Sequence, residues 1–146
     1  MTRALRPIYL EDLGLVPALE MLTKETEQVK NISIDFASYE KDKRLDAAVE
    51  LTIYRIAQEV LSNITQHSRA SHATLNITFT PQNVTLQVGD NGIGFDVPGN
   101  PAEFASTGHY GLLGLYERAD LIGTTLKIHS SSGKGTQVTL ICPTHS

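Results

Sequence analysis

Short segments in which apolar and polar residues alternate are the feature that most constrains how this chain can fold. Residues 31–37, 73–79 and 84–88 alternate in this way, so each would present one apolar face as an extended strand. Pro81, Gln82 and Asn83 separate the last two segments, which predicts a hairpin. Two more strands are predicted at 125–130 and 136–142, joined by a glycine-containing turn. Strands with one apolar face pack most economically as a single sheet with helices on one side.

Three helices are predicted to provide this cover. Residues 45–67 give the strongest pattern, because their apolar residues recur at spacings of three and four and mark a buried stripe: Val49, Ile53, Ile56, Val60 and Ile64. Residues 8–29 have apolar residues at a three-residue spacing, although Gly14 and Pro17 weaken a helix near its start. A third helix is predicted from 111 to 121 and ends before Gly123. We therefore expect an α/β (α+β) two-layer sandwich of about five strands and about three helices.

Composition narrows the class of protein. The chain has 146 residues and a net charge of −4, with no basic run, so one domain is expected and a nucleic-acid surface is disfavoured. The single cysteine, Cys142, excludes an intrachain disulfide. No apolar stretch approaches the ~20 residues needed to cross a bilayer, and the N-terminus lacks a signal-peptide layout. We therefore expect a cytoplasmic chain that does not span a membrane, although a parent protein can carry an anchor upstream.

The helix at 45–67 carries a line of polar residues beside its apolar stripe. Glu59, Asn63 and His67 are spaced four apart, so they share one helix face. An Asn oxygen suits Mg²⁺, which takes few protein ligands and completes its shell with phosphates and water. A carboxylate one turn away can orient a water molecule or accept a proton. An ordinary solvated helix face has the same pattern, so this line alone does not decide a function.

Three glycine-containing segments follow. Asp90 is predicted at a strand end before Gly92 and Gly94. Its carboxylate could accept a hydrogen bond from an exocyclic amino group. An ordinary Asn-Gly turn fits these residues equally well. Gly108, Gly111 and Gly114 precede or open a helix, whose free N–H groups could bind phosphate, although a glycine-rich linker is an equal alternative. Gly133 and Gly135 mark a tight turn before Thr136. Between these segments, residues 95–110 lack any period, which is typical of a lid or a disordered loop.

In this order and spacing, the four segments together resemble the nucleotide site of the superfamily that contains gyrase, Hsp90, histidine kinases and MutL. Its members share the Bergerat ATP-binding fold, which implies a mixed sheet. Residues 56–67 resemble the N box of this superfamily, and the glycine segments resemble its glycine boxes. The stretches LRPIYLEDLGLVPALE and GLLGLYERADLIG resemble the sensor histidine kinases whose usual partners are response regulators with a helix-turn-helix output domain. The resemblance covers nearly the whole chain.

The resemblance implies binding of ATP and Mg²⁺. It implies that Asn63 ligates Mg²⁺ and that Glu59 orients the reacting groups or acts as a general base. Asp90 would bond the adenine amino group, with support from Thr136 through water, and residues 95–110 would form the ATP lid. The other implied cofactor-binding residues lie in the glycine boxes, the lid and the N box: Gly92, Gly94, His67, His109, Tyr110, Gly111, Leu112 and Leu113. The last three would offer backbone N–H groups to the phosphates.

Two departures from the family pattern concern positive charge. Many relatives have Lys or Arg where this chain has Gln66, and residues 95–110 contain neither Lys nor Arg. Phosphoryl transfer depends on neutralising phosphate charge, so the residue that does this is not assigned. His109 and His67 are the nearest candidates by motif, followed by Arg69 and Arg55.

The histidine that such a kinase phosphorylates is absent, because none of the five histidines lies in the acidic helical motif of this branch. We expect residues 1–29 to be the tail of the dimerisation and phosphoacceptor region plus a linker, and residues 30–146 to be the catalytic domain. The expected partners are a histidine-bearing dimerisation domain and, indirectly, a response regulator. This fragment is expected to be monomeric and unable to label itself. Two alternatives stay open: a serine kinase of the anti-sigma factor type, and an ATP-binding or docking module without transfer activity.

Overall fold

Helices and one mixed sheet make up the fold of the described residues. The structure, a computed structural model, describes residues 8–39, 44–67, 69–94 and 110–144. The described elements, in chain order, are α1 (Ile8–Leu13), α2 (Leu15–Lys30), β1 (Ser33–Tyr39), α3 (Ala47–His67), β2 (His72–Phe79), β3 (Asn83–Asp90), α4 (Tyr110–Leu121), β4 (Thr125–Ser130) and β5 (Thr136–Pro143). The five strands lie in the order β1-β2-β3-β5-β4. Among these strands, only β1 and β2 pair in parallel, and the other neighbours are antiparallel.

The two faces of the sheet differ in polarity because the side chains alternate along each strand. On β2, Ala73, Leu75, Ile77 and Phe79 are buried, and the apolar residues of β3, β4 and β5 continue this buried face. The residues between them form the opposite, open face, which is mainly polar: Thr74, Asn76, Thr78, Thr85, Gln87, Gln137 and Thr139. Only one face of the sheet therefore belongs to the core, as the alternation in the sequence predicts.

Helix α3 is the centre of the layer that covers the buried face. It packs against α2 on one side and α4 on the other, and it contacts β3 beneath it. Ile53, Tyr54, Ile56 and Ala57 are at most 1% exposed, because the apolar stripe of α3 points into the core. No helix within the described ranges is both long and apolar enough to cross a membrane.

The N-terminal helical segment is broken, and here the prediction of one helix over 8–29 was wrong. Gly14 separates α1 from α2 and has φ 92°, ψ −178°, outside the helical region. Its amide still donates to Leu10 O at 3.0 Å, which closes the last turn of α1. The described residues therefore contain four helices rather than three. Leu15, Ala18 and Leu19 of α2 are fully buried, so this segment belongs to the core.

An ion pair joins the α1–α2 break to the start of α3. Glu50 is only 2% exposed, and its carboxylate accepts from Arg44 Nε and Nη2 at 3.1 Å each and from the Leu45 amide at 3.1 Å. Arg44 Nη2 also donates to the carbonyl oxygen of Glu11 at 3.2 Å. The guanidinium thus satisfies a buried carboxylate and a helix-end carbonyl together. Nothing in the sequence pattern pointed to this pair.

Candidate functional site

A row of polar side chains ends the buried face of the sheet. Asp90 at the end of β3 lies opposite Thr136 at the start of β5, and Thr136 lies opposite Ser130 at the end of β4. All three positions continue the buried side of their strands, since they stand two residues from Val88, Val138 and Ile128. Side chains opposite each other in an antiparallel pair have Cβ atoms roughly 4.5–5.5 Å apart. The register therefore brings Asp90 and Thr136, two predicted site residues, side by side.

The carboxylate of Asp90 is only half satisfied. Its Oδ1 accepts from the Gly92 amide at 2.7 Å, whereas its buried Oδ2 has no hydrogen-bond partner. Burial raises the pKa of this carboxyl above its ordinary value of 3.8, and the backbone amides of Gly92 and Thr136 oppose the rise. A buried acceptor without a partner is costly unless a ligand or water donates to it. Asp90 therefore fits a role in binding a hydrogen-bond donor.

Gly94, a predicted site residue, and Gly135, in the β4–β5 turn, hold neighbouring loops in backbone contact. A Cβ on Gly94 would overlap the carbonyl oxygen of Ser131, and one on Gly135 would overlap that of Asp90. Gly94 and Gly135 also have φ values of +66° and +73°, which side chains rarely tolerate. The Gly133 amide donates to Ile93 O at 2.5 Å. The segment after β3 and the β4–β5 turn are thus in direct backbone contact beside Asp90.

Helix α3 brings two further predicted residues to different surroundings. The amide nitrogen Nδ2 of Asn63 is buried without a partner, so this side chain also has unused hydrogen-bonding capacity. Glu59, one turn earlier, lines an open groove of about 870 Å³ between α2, α3 and α4. Val29 and Leu121, which are 75% and 85% exposed, lie along the same groove, together with Arg55 and Arg118.

The remaining predicted residues are described only in part or lie outside the description. The backbone of Tyr110, Gly111, Leu112 and Leu113 forms the first turn of α4. The first four N–H groups of a helix have no partner within it, and this is the backbone that the sequence predicted to face phosphates. His67 is the last residue of α3. The lid was predicted over 95–110; its residues 95–109, which include His109, lie outside the described residues, and Tyr110 begins α4.

Comparison with known proteins decides the family. Residues 48–146 match the family model described as histidine kinase-, DNA gyrase B- and HSP90-like ATPase, which is well over half of the chain. The chain belongs to this ATPase family. The resemblance stated from the sequence is thereby confirmed, and the matched segment contains every predicted site residue.

Within this ATPase family, the chain is similar to histidine kinases along nearly its whole length. The chain is 37% identical to the signal transduction histidine-protein kinase/phosphatase DegS of Bacillus subtilis (strain 168), over 94% of this chain and 36% of that protein. It is 33% identical to the oxygen sensor histidine kinase NreB of Staphylococcus carnosus (strain TM300), over 95% of this chain and 39% of that protein. The chain thus spans just over a third of the length of these relatives.

A solved structure carries the same fold. The Erythrobacter litoralis EL346 blue-light activated histidine kinase matches with a TM-score of 0.73 over 88% of this chain and 41% of that chain, at 21% identity. At this identity the likeness concerns the fold alone. It confirms the predicted two-layer α/β class with a five-stranded mixed sheet.

Sequence reasoning missed two polar residues at this end of the ATPase domain. Asn91 Oδ1 accepts from the amides of Ser71 and His72 at 3.0 and 3.1 Å, and its Nδ2 donates to Ser71 Oγ at 3.0 Å. This fixes the chain where it leaves β3. Ser130 contacts Thr136 and Gly135. The Asn-Gly pair at 91–92 was a signal for the first residue, whereas only the strand register reveals the second.

Proposed function

We propose that this chain is the ATP-binding catalytic domain of a two-component sensor histidine kinase, which binds Mg-ATP and donates the γ-phosphoryl group to a histidine on a dimerisation domain. The observation that carries the proposal is the buried, unpartnered Oδ2 of Asp90, beside two glycines that hold the adjacent loops in backbone contact. Membership of the ATPase family and homology to histidine kinases support it.

The adenine end of the site would be formed by Asp90. Its Oδ2 would accept from the exocyclic amino group of the base, and Thr136 would support this contact through water. Gly92 and Gly94 would leave room for the base to approach the backbone. The hydrogen bond from the Gly92 amide to Oδ1 would keep the side chain oriented while Oδ2 binds the ligand.

The phosphate end would be formed by α3 and the start of α4. Asn63 would hold Mg²⁺ through its carboxamide oxygen, and its unpartnered Nδ2 fits a phosphate oxygen as hydrogen-bond acceptor. The ion would neutralise phosphate charge. The first-turn amides of Gly111, Leu112 and Leu113 would donate to the phosphates, where the helix dipole also favours negative charge.

The transfer step would take place at the groove lined by Glu59. A histidine ring nitrogen would form a bond to the γ-phosphorus as the bond to the bridging oxygen breaks, and ADP would leave. Glu59 would orient the ring or accept the proton of its other nitrogen. Because the groove is open, a helix of a separate domain can approach Glu59 from outside.

The partial coverage of the relatives supports the rest of the proposed assembly. Residues 1–29 would connect an upstream dimerisation domain to the catalytic domain at 30–146, with a response regulator as the indirect partner. The fragment would be cytoplasmic and monomeric, since the dimerisation helices would belong to the upstream domain.

Calorimetric titration with ATP tests the nucleotide site. Asp90→Asn preserves size and can still accept from Gly92, but it can place an amide group where adenine needs an acceptor. We expect at least about a tenfold weaker affinity in this variant, the equivalent of one lost hydrogen bond to a buried group. Asp12→Asn, at an exposed position of α1, is the matched control and should bind like wild type. No saturable binding by wild-type protein would contradict the proposal.

The metal site is tested by titrating ATP with and without Mg²⁺. Asn63→Ala should lose most of the enhancement by Mg²⁺ while keeping measurable binding of free ATP. Asn76→Ala, on the open face of the sheet, is the matched control and should keep the full enhancement. An undiminished enhancement in Asn63→Ala would remove this residue from the metal site.

Transfer to a separately made histidine-bearing domain separates the competing functions. A labelled product that is lost in acid supports a histidine kinase, because phosphohistidine is acid-labile. An acid-stable product indicates the serine kinase alternative. ATP binding with no transfer to any acceptor domain indicates the docking module.

A further inference from the structure

Ser130 is the third member of the polar row that contains Asp90 and Thr136, and it has no assigned role. It ends β4 directly opposite Thr136. Its Oγ lies 2.8 Å from the carbonyl oxygen of Gly135 and 2.9 Å from Thr136 Oγ1. Ser130 therefore contacts Thr136, which lies opposite Asp90 on β5, and Gly135, which lies against the backbone of Asp90.

The direction of these two hydrogen bonds follows from counting protons. A carbonyl oxygen can only accept, so Ser130 donates its single hydroxyl proton to Gly135 O. Ser130 Oγ must then accept in its contact with Thr136, and Thr136 is the donor. The result is a relay from the Thr136 hydroxyl to Ser130 and from Ser130 to Gly135 O. Such chains strengthen each member by polarisation.

This relay has a consequence for Asp90. Thr136 is the cross-strand neighbour of Asp90 on the same face, where its hydroxyl could otherwise rotate toward the carboxylate. The relay directs the Thr136 proton toward β4 instead, and Oδ2 of Asp90 has no partner. Thr136 then presents only lone pairs on its remaining side. The polar row thus offers two acceptors and no hydroxyl donor from Thr136.

We propose that Ser130 is a positioning residue of the nucleotide site: by drawing the Thr136 proton toward itself, it keeps Oδ2 of Asp90 open and so favours a base with an amino group at that edge. This inference rests on the proposed function. Without Ser130, the Thr136 hydroxyl turns to Oδ2 and occupies the acceptor that adenine needs. The anchored Gly135 carbonyl also belongs to the backbone contact with Gly94, so the relay stabilises the loop beside the site.

Selectivity between two nucleotides tests this role. ATP and inosine triphosphate share the triphosphate and sugar, and they differ at the base edge, where a carbonyl replaces the amino group. The contributions of the phosphates and the sugar to binding therefore cancel in the ratio of the two dissociation constants. Ser130→Ala should lower the preference for ATP by about tenfold, the equivalent of one hydrogen bond. Ser130→Thr keeps the hydroxyl and should retain the wild-type ratio, as should the matched control Ser131→Ala at the adjacent exposed position.

A second measurement needs no nucleotide. The carboxyl carbon of Asp90 is titrated by NMR in wild type, Ser130→Ala, Ser131→Ala and the double variant Ser130→Ala/Thr136→Val. A Thr136 hydroxyl freed to donate to the carboxylate stabilises its charged form. The pKa of Asp90 should therefore fall in Ser130→Ala, stay unchanged in Ser131→Ala, and return toward wild type in the double variant, which has no hydroxyl to donate.

The two measurements distinguish failure of this inference from failure of the proposed function. A protein that binds neither nucleotide but shows the fall in the Asp90 pKa refutes the proposed function and supports the positioning role. An unchanged Asp90 pKa in a folded Ser130→Ala variant overturns the positioning role, whatever the nucleotide affinities are. An unchanged nucleotide ratio with a lowered pKa overturns the link to base selectivity.

Discussion

A Cβ built on Gly135 would overlap the carbonyl oxygen of Asp90. The β4–β5 turn thus lies in close contact with the backbone of Asp90, whose side chain is at the end of the buried face of the sheet. Gly133, in the same turn, has a similar φ of +80° but open space around its Cα. Substitutions at the two glycines can therefore separate the cost of backbone strain, which both share, from the cost of steric overlap, which only Gly135 has.

Gly135→Ala should be more destabilising than Gly133→Ala. Both substitutions put a side chain in the left-handed region, which costs about 1 kcal/mol. Only Gly135→Ala must also move the backbone of Asp90, for a total of about 3 kcal/mol. Urea unfolding measures both, and ATP affinity should fall only in Gly135→Ala. Equal free energies of unfolding in the two variants would contradict the close approach.

The layered fold could be predicted from the sequence because local patterns determine it. Alternation predicted β2 and β3, and spacing of three and four predicted α3, each within two residues of the observed bounds. The break at Gly14 was underestimated, since leucines continue the helical spacing across it. The Arg44–Glu50 pair was not predictable, because it depends on where a loop returns to a helix start.

The site was predictable only as a list of residues. The order of the motifs predicted that Asp90 and Thr136 belong to one site. Only the strand register shows that they lie side by side. Register depends on pairing between distant segments, which a single sequence does not specify. The same register reveals Ser130, whose sequence context is an ordinary turn. Glu59 and Asn63 share a helix face as predicted, yet only Glu59 lines the groove between the helices.

Arg44→Ala should lower the free energy of unfolding by about 2 kcal/mol. The substitution leaves the Glu50 carboxylate buried with only the Leu45 amide as a described partner. Removing one partner of a fully buried pair costs about 3–5 kcal/mol, and the cost is smaller here because Arg44 is itself 54% exposed. Arg118→Ala, at an exposed position of α4, should change stability by less than about 0.5 kcal/mol. A loss no larger than that of the control would show that solvent satisfies Glu50.

The raised pKa of Asp90 predicts a specific dependence of stability on pH. In the window above 3.8, the ordinary value, the folded protein keeps the proton of this carboxyl while the unfolded chain has begun to lose it. Stability therefore falls as pH rises through the window, and it levels off above the folded-state pKa. Asp90→Asn cannot titrate, so this fall is absent from the variant.

Urea unfolding of wild type and Asp90→Asn across the acidic range measures this effect. The free energy of unfolding of wild type minus that of the variant should decrease with rising pH, since contributions common to both proteins cancel. A difference that increases with pH would mean that hydrogen bonds to the charged form outweigh burial.

Residues 95–110 contain neither Lys nor Arg, so His109 is a candidate for neutralising phosphate charge at this end of the site. His109→Ala should weaken ATP binding about fivefold, which corresponds to one lost hydrogen bond to phosphate. His129 is exposed on the open face of the sheet, opposite the face that continues to Asp90. His129→Ala is therefore the matched control, and calorimetric titration with ATP measures both variants. Equal dissociation constants for the two variants would show that His109 does not neutralise the phosphates. Arg55 and Arg69 would then be the next residues to replace.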